Sequence, residues 1–175
     1  ILEHVARPGT CVVGLTATVE RGDSRTLQPA FPGGIAYQLP LAEAIEEGYL
    51  VPFRAVREDA PGLVLDEVTC WGGDFGQASL AEALEETAID HWAADACRKH
   101  ASGKKALVFT GSVNLAERTA FELNERGIPA DWIAGEMEMG RRRAVIDSFK
   151  RGEILALCNC QVLTEGFDEP SIEAV

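Results

Sequence analysis

The sequence lacks a long hydrophobic run, a metal-binding pattern of cysteine and histidine, and an excess of positive charge. No apolar stretch approaches the roughly 20 residues that a membrane-spanning helix needs, so we expect no membrane segment and no membrane partner. The five cysteines and three histidines have no zinc-ligand spacing, so we expect no metal site. Instead we expect buried free thiols in a reducing, cytoplasmic compartment. The net charge of −12 also opposes overall attraction to nucleic acid.

The charge is distributed unevenly along the chain. Residues 58–97 contain ten acidic residues and no lysine or arginine, whereas residues 98–151 contain eleven basic residues against seven acidic ones. The basic residues concentrate in four short stretches, Arg98–Lys99, Lys104–Lys105, Arg141–Arg143 and Lys150–Arg151. A solvated face is the ordinary interpretation of such runs. A basic face on an acidic chain can nevertheless meet phosphate groups locally, because salt confines its field to about 10 Å.

The size of the chain suits one ordinary domain with additional material at an end. Its 175 residues are 46% hydrophobic, which is enough for a core. The chain starts at Ile1 without an initiator methionine or a signal pattern, and it stops at Val175 where a new apolar strand begins. We therefore expect an internal piece of a longer protein.

The second half of the chain alternates between strand and helix patterns. Apolar runs predict strands at 106–109, 129–133 and 154–157, and helical patterns predict helices at 112–126 and from about Gly140 to Gly152. Ser112 is placed to cap the first of these helices, and Gly127 and Gly152 are placed to end them. Strand–helix alternation at this spacing indicates parallel pairing with right-handed crossovers, as in a mononucleotide-binding domain.

The first half has weaker signals. Apolar runs predict strands at 11–17 and 49–56, the second weakened by Pro52, and a short helix at 41–47 that Gly48 stops. A longer helix is predicted from Ser79 to Lys99, with Ser79 and Glu82 forming a capping box. Its apolar stripe would consist of Leu80, Leu84, Ala88 and Trp92.

Four stretches occur in an order that is specific to one enzyme family. They are GLTATVER at 14–21, ALVFTGS at 106–112, Gly135 with Arg142 and Phe149, and VLTEGFDEP at 162–170. Together with GYLVP at 48–52, they resemble the second half of a superfamily-two helicase motor. The nearest branch is the DEAD/DEAH-related group that includes type III restriction subunits and excision-repair helicases.

The resemblance implies an α/β fold with a RecA-like, P-loop NTPase-type parallel sheet flanked by helices, the helicase C-terminal lobe. It also implies three segments. Residues 1–27 would end the first RecA-like lobe, residues 28–100 would form the linker and its connecting elements, and residues 101–175 would form most of the second lobe.

The resemblance assigns six residues to nucleic-acid backbone contact: Thr110, Gly111, Ser112, Gly135, Arg142 and Thr164. Hydroxyls and backbone N–H groups at strand-to-helix junctions suit this role, because they hold phosphates without reading the base sequence. The alternative is purely structural. Thr110 to Ser112 would only cap a helix, and Thr164 would be a hydroxyl at the end of a strand.

The nucleotide side of the resemblance rests on two further motifs. Asp168 would accept a hydrogen bond from the ribose, and Gly166 would allow close approach of the backbone. Thr16, Ala17 and Thr18 resemble the motif that couples the ATP state to the grip on the strand, although a β-rich run would also favour threonine. Val19 departs from the family, which usually has proline there.

The sequence contains no GxxxxGK[ST] loop and no Asp-Glu-x-Asp/His motif, the groups that bind ATP phosphates and magnesium. The resemblance implies that the full-length protein uses ATP and Mg²⁺ as a DNA or RNA helicase or translocase acting on a single strand or a duplex junction. We expect this fragment alone not to hydrolyse ATP. Two alternatives stay open, a non-catalytic nucleic-acid-binding module and a small-molecule-binding α/β domain. The sequence does not identify protein partners.

Overall fold

The computed structural model describes residues 11–16, 31, 33–63, 68, 70–71, 74–164 and 167–175. The chain divides into two compact units, Ile1–Val56 and Arg57–Val175. The second unit contains the parallel sheet. The three sequence segments proposed above, with boundaries after residues 27 and 100, stay a prediction.

The first unit contains one described helix, α1 (Leu41–Glu46). It ends before Gly48, whose φ of +79° suits glycine, so the predicted short helix is confirmed. The strand predicted at 49–56 is wrong, because these residues have no strand hydrogen bonding and Tyr49, Val51 and Phe53 are exposed. Residues 11–16 likewise form no strand, and residue 17 lies outside the described part. An apolar run of this kind forms a strand only where a partner strand pairs with it.

The second unit begins with a short antiparallel pair, β1 (Cys70–Trp71) and β2 (Asp74–Phe75), followed by helices α2 (Gln77–Glu86) and α3 (Ile89–His100). The single helix predicted from Ser79 to Lys99 is therefore wrong. Thr87 interrupts it with an extended backbone, and its Oγ1 donates to the carbonyls of Ala83 and Leu84 at the end of α2. These bonds satisfy acceptors that a continuing helix would have used.

The break also changes which side chains are buried. Ser79 lies inside α2 and donates its hydroxyl to the carbonyl of Gly76, so it is not the predicted cap. Ala88 of the predicted stripe is exposed, whereas α3 buries Ile89, Asp90 and Ala94. Because Thr87 interrupts the helix, the residues of α3 are not in helical register with those of α2. The predicted apolar stripe through both helices therefore does not form.

The main sheet is parallel, as predicted. The elements follow in the order β3 (Ala106–Phe109), α4 (Val113–Glu125), β4 (Ala130–Ile133), α5 (Met139–Arg151) and β5 (Ala156–Asn159), and the strand order is β3–β5–β4. Ala106, Ala156 and Ala130 are level across the sheet. β5 begins two residues later than predicted. Its last residue is the fully buried Asn159, a polar side chain that an apolar pattern does not include.

Helices cover both faces of the sheet, which confirms the predicted α/β fold class. Small residues of α3 and α4 pack on one face, where Ala94, Ala116 and Ala120 meet Cys158. α5 packs on the other face through Val145 and Phe149, which meet Leu107, Ile133 and Leu157. The two clusters are separate because successive side chains of a strand point to opposite faces. Across the described residues, no helix is long and apolar enough to cross a membrane.

The chain after β5 returns along the α5 side of the sheet. Val162, Leu163, Phe167 and Ile172 pack on the α5 cluster. Ala174 then forms a parallel bridge with Ala106, and the N–H of Leu107 donates to the Ala174 carbonyl at 3.0 Å. This bridge lies on the side of β3 that faces away from β5, and it falls in the segment for which the sequence predicts a new apolar strand.

Candidate functional site

Three of the predicted motifs emerge at the same edge of the sheet, which we call the carboxyl edge. The register places Phe109, Asn159 and Ile133 level with each other at the ends of their strands. The loops that follow them therefore lie side by side. They contain Thr110 to Ser112 after β3, Gly135 after β4 and Thr164 after β5. The carboxyl edge is where ligands bind in open α/β sheets.

Thr110 is held in place by β5. Its N–H donates to the carbonyl of Asn159 at 2.9 Å, and its hydroxyl lies 3.1 Å from the same carbonyl and 2.9 Å from the Ser112 carbonyl. The Asn159 side chain is fully buried, and its amide donates to the Val108 carbonyl at 3.3 Å. Its Oδ1 has no hydrogen-bond partner among the described residues. Asn159 thus ties the end of β3 to β5, a role that the sequence does not indicate.

Ser112 is the predicted cap of α4. Its hydroxyl accepts a hydrogen bond from the N–H of Leu115 at 3.1 Å, and Gly127 has a φ of +75° just after the helix, as expected. The same hydroxyl also donates to Oε1 of Glu85 at 2.6 Å. Glu85 belongs to α2, and this contact joins residues 27 positions apart, which no local pattern reveals.

Gly111 lies under α2, the helix that contains Glu85. A Cβ atom at this position would come within 2.8 Å of Cδ1 of Leu84. The glycine therefore allows α2 to approach the loop more closely than a side chain would. The two contacts from Leu84 and Glu85 show that α2 covers the loop from Gly111 to Ser112.

The start of α5 is closed by its own carboxylate. Glu138 accepts from the N–H groups of Gly140 at 2.9 Å and Arg141 at 3.2 Å. These are the groups that an anion at a helix N-terminus would otherwise use. Gly135 is exposed between β4 and α5, and a Cβ there would lie 4.0 Å from Cγ1 of Val162, so the loops after β4 and β5 are in contact range.

The basic triplet Arg141 to Arg143 lies on the first turn of α5. The guanidinium of Arg141 lies over the Trp132 ring, 5.3 Å from its centroid, and 4.0 Å from Oδ1 of Asp131. Arg142 is half-buried and Arg143 is exposed, and neither side chain has an ion pair with the residues that the structure describes. Two positive charges at the start of α5 are therefore not neutralised there. The Arg141–Trp132 pair was not among the predicted site residues.

The turn after β5 contains two residues in the left-handed region, Gln161 with a φ of 52° and Leu163 with a φ of 63°. For residues other than glycine such a conformation costs about 1–3 kcal/mol, and it is concentrated at functional sites. Val162 and Leu163 are packed on the α5 cluster, which holds the turn in place. The next residue is Thr164, which is exposed and is one of the residues predicted to contact the nucleic-acid backbone.

Asp168 lies away from this group, next to the amino ends of the strands. Its neighbour Glu169 is 3.9 Å from the Nζ of Lys105, and Lys105 directly precedes β3. The hydrogen bond from the hydroxyl of Ser171, aided by the charge of Lys105, holds the pKa of Glu169 below its ordinary value. Asp168 itself is exposed. The structure therefore separates the predicted ribose contact, Asp168, from the residues predicted to contact the nucleic-acid backbone. Gly166 lies outside the described residues.

Lys105 holds this amino edge together. Its Nζ donates to the carbonyl of Lys150 at 2.9 Å and to the hydroxyl of Ser171 at 2.7 Å, and it lies 5.4 Å from the centroid of the Phe149 ring. Its side chain is only 13% exposed. One lysine therefore joins β3, the end of α5 and the segment that contains Asp168.

Only part of the predicted coupling motif is described. Thr16 is exposed, whereas Ala17 and Thr18 lie outside the described residues. Gly14 packs against the Phe31 ring so closely that a Cβ would lie 2.6 Å from Cζ. A larger residue at this position would therefore displace the Phe31 ring.

Three of the cysteines fit structural roles. Cys11, Cys97, Cys158 and Cys160 are free, and burial raises the pKa of Cys97, Cys158 and Cys160 above the ordinary thiol value. A raised pKa leaves little thiolate, which is the reactive form. Within the described part of the chain, no group of histidine, cysteine and acidic residues could hold a metal ion.

Comparison with known proteins gives a family match and several relatives. Residues 83–175 match the family described as helicase conserved C-terminal domain. The chain is 27% identical to the putative ATP-dependent helicase IRC3 of Saccharomyces cerevisiae, across the whole chain and 26% of that protein. It is 30% identical to the putative mitochondrial ATP-dependent helicase irc3 of Schizosaccharomyces pombe, across the whole chain and 29% of that protein.

A third relative is the ATP-dependent RNA helicase DDX42 of Mus musculus, at 26% identity across 70% of the chain and 14% of that protein. The chain thus spans less than a third of the length of each of these three relatives.

Proposed function

The chain belongs to the helicase C-terminal domain family, and from this premise we propose that it is the second motor lobe of an ATP-dependent helicase or translocase. One observation carries the proposal. The loops that contain three of the predicted motifs lie side by side at the carboxyl edge of a parallel sheet, which is the fold that this family implies. The DEAD/DEAH-related branch is the proposed subgroup, on the motifs at 106–112 and 162–170.

The proposed nucleic-acid grip follows the carboxyl edge. Backbone and hydroxyl groups of the loop from Thr110 to Ser112, with Gly135 and Thr164, would line the path of one strand. Arg142 supplies positive charge that no described residue neutralises. A grip of this kind binds phosphates rather than bases, so it serves DNA and RNA alike.

The proposed nucleotide wall is formed by the segment around Asp168. The Asp168 carboxylate is exposed and can accept hydrogen bonds from ribose hydroxyls. The described residues contain no group of acidic side chains that could hold Mg²⁺. In the full-length protein, ATP phosphates and Mg²⁺ would therefore be held by the other lobe, and Thr16, Ala17 and Thr18 would couple the two. The free thiols of Cys97, Cys158 and Cys160 support a reducing, cytoplasmic location, which we propose as well.

Strand binding by the chain tests the proposal. The change is Arg142→Glu with Arg143→Glu, and the measurement is fluorescence anisotropy with a labelled single-stranded DNA and RNA of the same length. We expect weaker binding and a shallower dependence on salt, by about one unit of slope for each phosphate that the variant no longer contacts. Arg98→Glu with Lys104→Glu is the matched control, because it reverses two exposed charges between the last turn of α3 and the amino end of β3.

The result has a clear alternative. If the two double variants bind the strand equally well, the basic start of α5 does not contact phosphate, and the small-molecule-binding alternative gains support.

A further inference from the structure

A groove of about 430 Å³ lies beside the proposed strand path, and none of the predicted site residues explains it. It is bounded by the end of β4 and by the starts of α4 and α5. Its lining is mostly apolar and consists of Val113, Trp132, Ala134, Glu136, Met137, Glu138 and Arg141. The volume is in the range of sites that bind small organic groups.

The wall of the groove is an aromatic ring with a guanidinium over it. Trp132 packs with one part of its ring on the buried cluster of α3 and α4, so its position is fixed. Arg141 lies over the ring at 5.3 Å from the centroid, and Oδ1 of Asp131 lies 4.0 Å from the guanidinium. Aromatic rings and guanidinium planes are the two protein surfaces on which unpaired nucleobases stack.

The groove is also flanked by proposed phosphate contacts on each side. Val113 follows Ser112 directly, Gly135 lies between the lining residues Ala134 and Glu136, and Arg142 follows Arg141. The carboxylate of Glu138 is engaged by the N–H groups of α5, so it is held against the helix. A strand that follows the carboxyl edge would therefore pass over a mostly apolar groove whose rim has the positive charges of Arg141 and Arg142 and the exposed negative charge of Glu136.

We propose that this groove binds one nucleobase of the strand, stacked against the Arg141–Trp132 pair, while the neighbouring phosphates meet the carboxyl edge. The inference rests on the proposed function and adds to it a contact with the base. Such a contact would let the lobe distinguish a strand with unpaired bases from one whose bases are paired or missing.

The experiment compares a single-stranded DNA with an abasic strand of equal length, which keeps the phosphates and lacks the bases. We expect the wild-type chain to bind the base-bearing strand about tenfold more tightly, in line with stacking of one base on an aromatic side chain. Trp132→Leu should reduce its affinity to the level of the abasic strand, and Trp132→Phe should retain most of the preference because it keeps a ring. Trp92→Leu, on α3 outside the groove, is the matched control.

The outcomes separate the two proposals. Equal affinity of the wild-type chain for both strands overturns the base site and leaves the proposed function intact, whereas binding of neither strand overturns both. A preference that survives in Trp132→Leu overturns the assignment to this groove. If circular dichroism shows that Trp132→Leu does not fold, Val113→Met takes its place, because it narrows the groove without adding a ring, from a position that is 44% exposed. The preference for the base-bearing strand should then fall, and an unchanged preference overturns the assignment to this groove.

Discussion

The two edges of the parallel sheet differ in how far their polar groups are committed to each other. At the amino edge, the Nζ of Lys105 contacts a carbonyl, a hydroxyl, a carboxylate and an aromatic ring. At the carboxyl edge, Thr164 is exposed, Asn159 keeps a buried Oδ1 that no described residue satisfies, and the turn after β5 has two left-handed residues. The polar groups around Lys105 are therefore engaged within the protein, whereas Thr164 is open to a ligand and the turn before it is strained.

This difference separates a structural joint from a binding surface. Buried polar groups that satisfy one another contribute to stability and have nothing left for a ligand. Polar groups that are exposed or strained lower stability and are kept where binding uses them. We therefore expect changes at the amino edge to alter the free energy of unfolding, and changes at the carboxyl edge to alter strand affinity.

The largest expected effect is that of Lys105→Met at the amino edge. The change keeps most of the length of the side chain but leaves the Lys150 carbonyl and the Ser171 hydroxyl without the donor that Nζ supplies. We expect the free energy of unfolding to fall by about 2 kcal/mol, the usual cost of an unsatisfied charged hydrogen-bond network, as measured by urea denaturation.

Lys104→Met is the control for this change, because Lys104 is the exposed neighbour in the sequence. Strand affinity of the folded Lys105→Met protein should equal that of wild type. A loss of affinity without a loss of stability would show that the two edges are not independent.

A smaller effect is expected for Glu85→Gln at the carboxyl edge. Glu85 accepts from Ser112 at the place where the strand's phosphates are proposed to lie, so its negative charge opposes them. Glutamine keeps an acceptor for the hydroxyl and removes the charge. We expect strand affinity, measured by fluorescence anisotropy, to rise about three- to tenfold at low salt and the gain to shrink at high salt.

Glu117→Gln is matched to this variant, because it removes one negative charge from an exposed position on α4. An equal gain in both variants would mean that only net charge matters, and that α2 does not compete with the strand at Ser112.

The sequence predicts the features that depend on neighbours along the chain. Ser112 caps α4, and Gly152 ends α5 with a φ of +75°, because a cap needs only residues within one turn. Alternating patterns likewise predict the parallel sheet and the edge at which its motifs meet. The order of the motifs along the chain is sufficient to indicate the family.

The sequence does not predict contacts between distant segments. Lys105 and Ser171 are 66 positions apart, and Ser112 and Glu85 are 27 apart, so no periodicity links them. The break at Thr87 escapes prediction for a different, local reason. The helical pattern continues through it, and a threonine hydroxyl can donate to the carbonyl four residues earlier inside an unbroken helix as well, so this residue does not mark a helix end.

The smallest effect is expected for Gln161→Gly, which tests whether the strain at the carboxyl edge is used. Gln161 is exposed and has a φ of 52°, so glycine relieves the strain without removing a buried contact. Glycine also makes the unfolded chain more flexible, which offsets part of the gain. We therefore expect urea denaturation to show a free energy of unfolding raised by about 0.5–1 kcal/mol. Gln161→Ala should give no such gain, because alanine keeps the cost of the left-handed backbone. If the strained turn positions Thr164 to contact the nucleic-acid strand, the affinity for that strand falls as the free energy of unfolding rises. If stability rises and affinity does not change, the strain belongs to the turn alone, and the contrast between the two edges rests on Thr164 and Asn159.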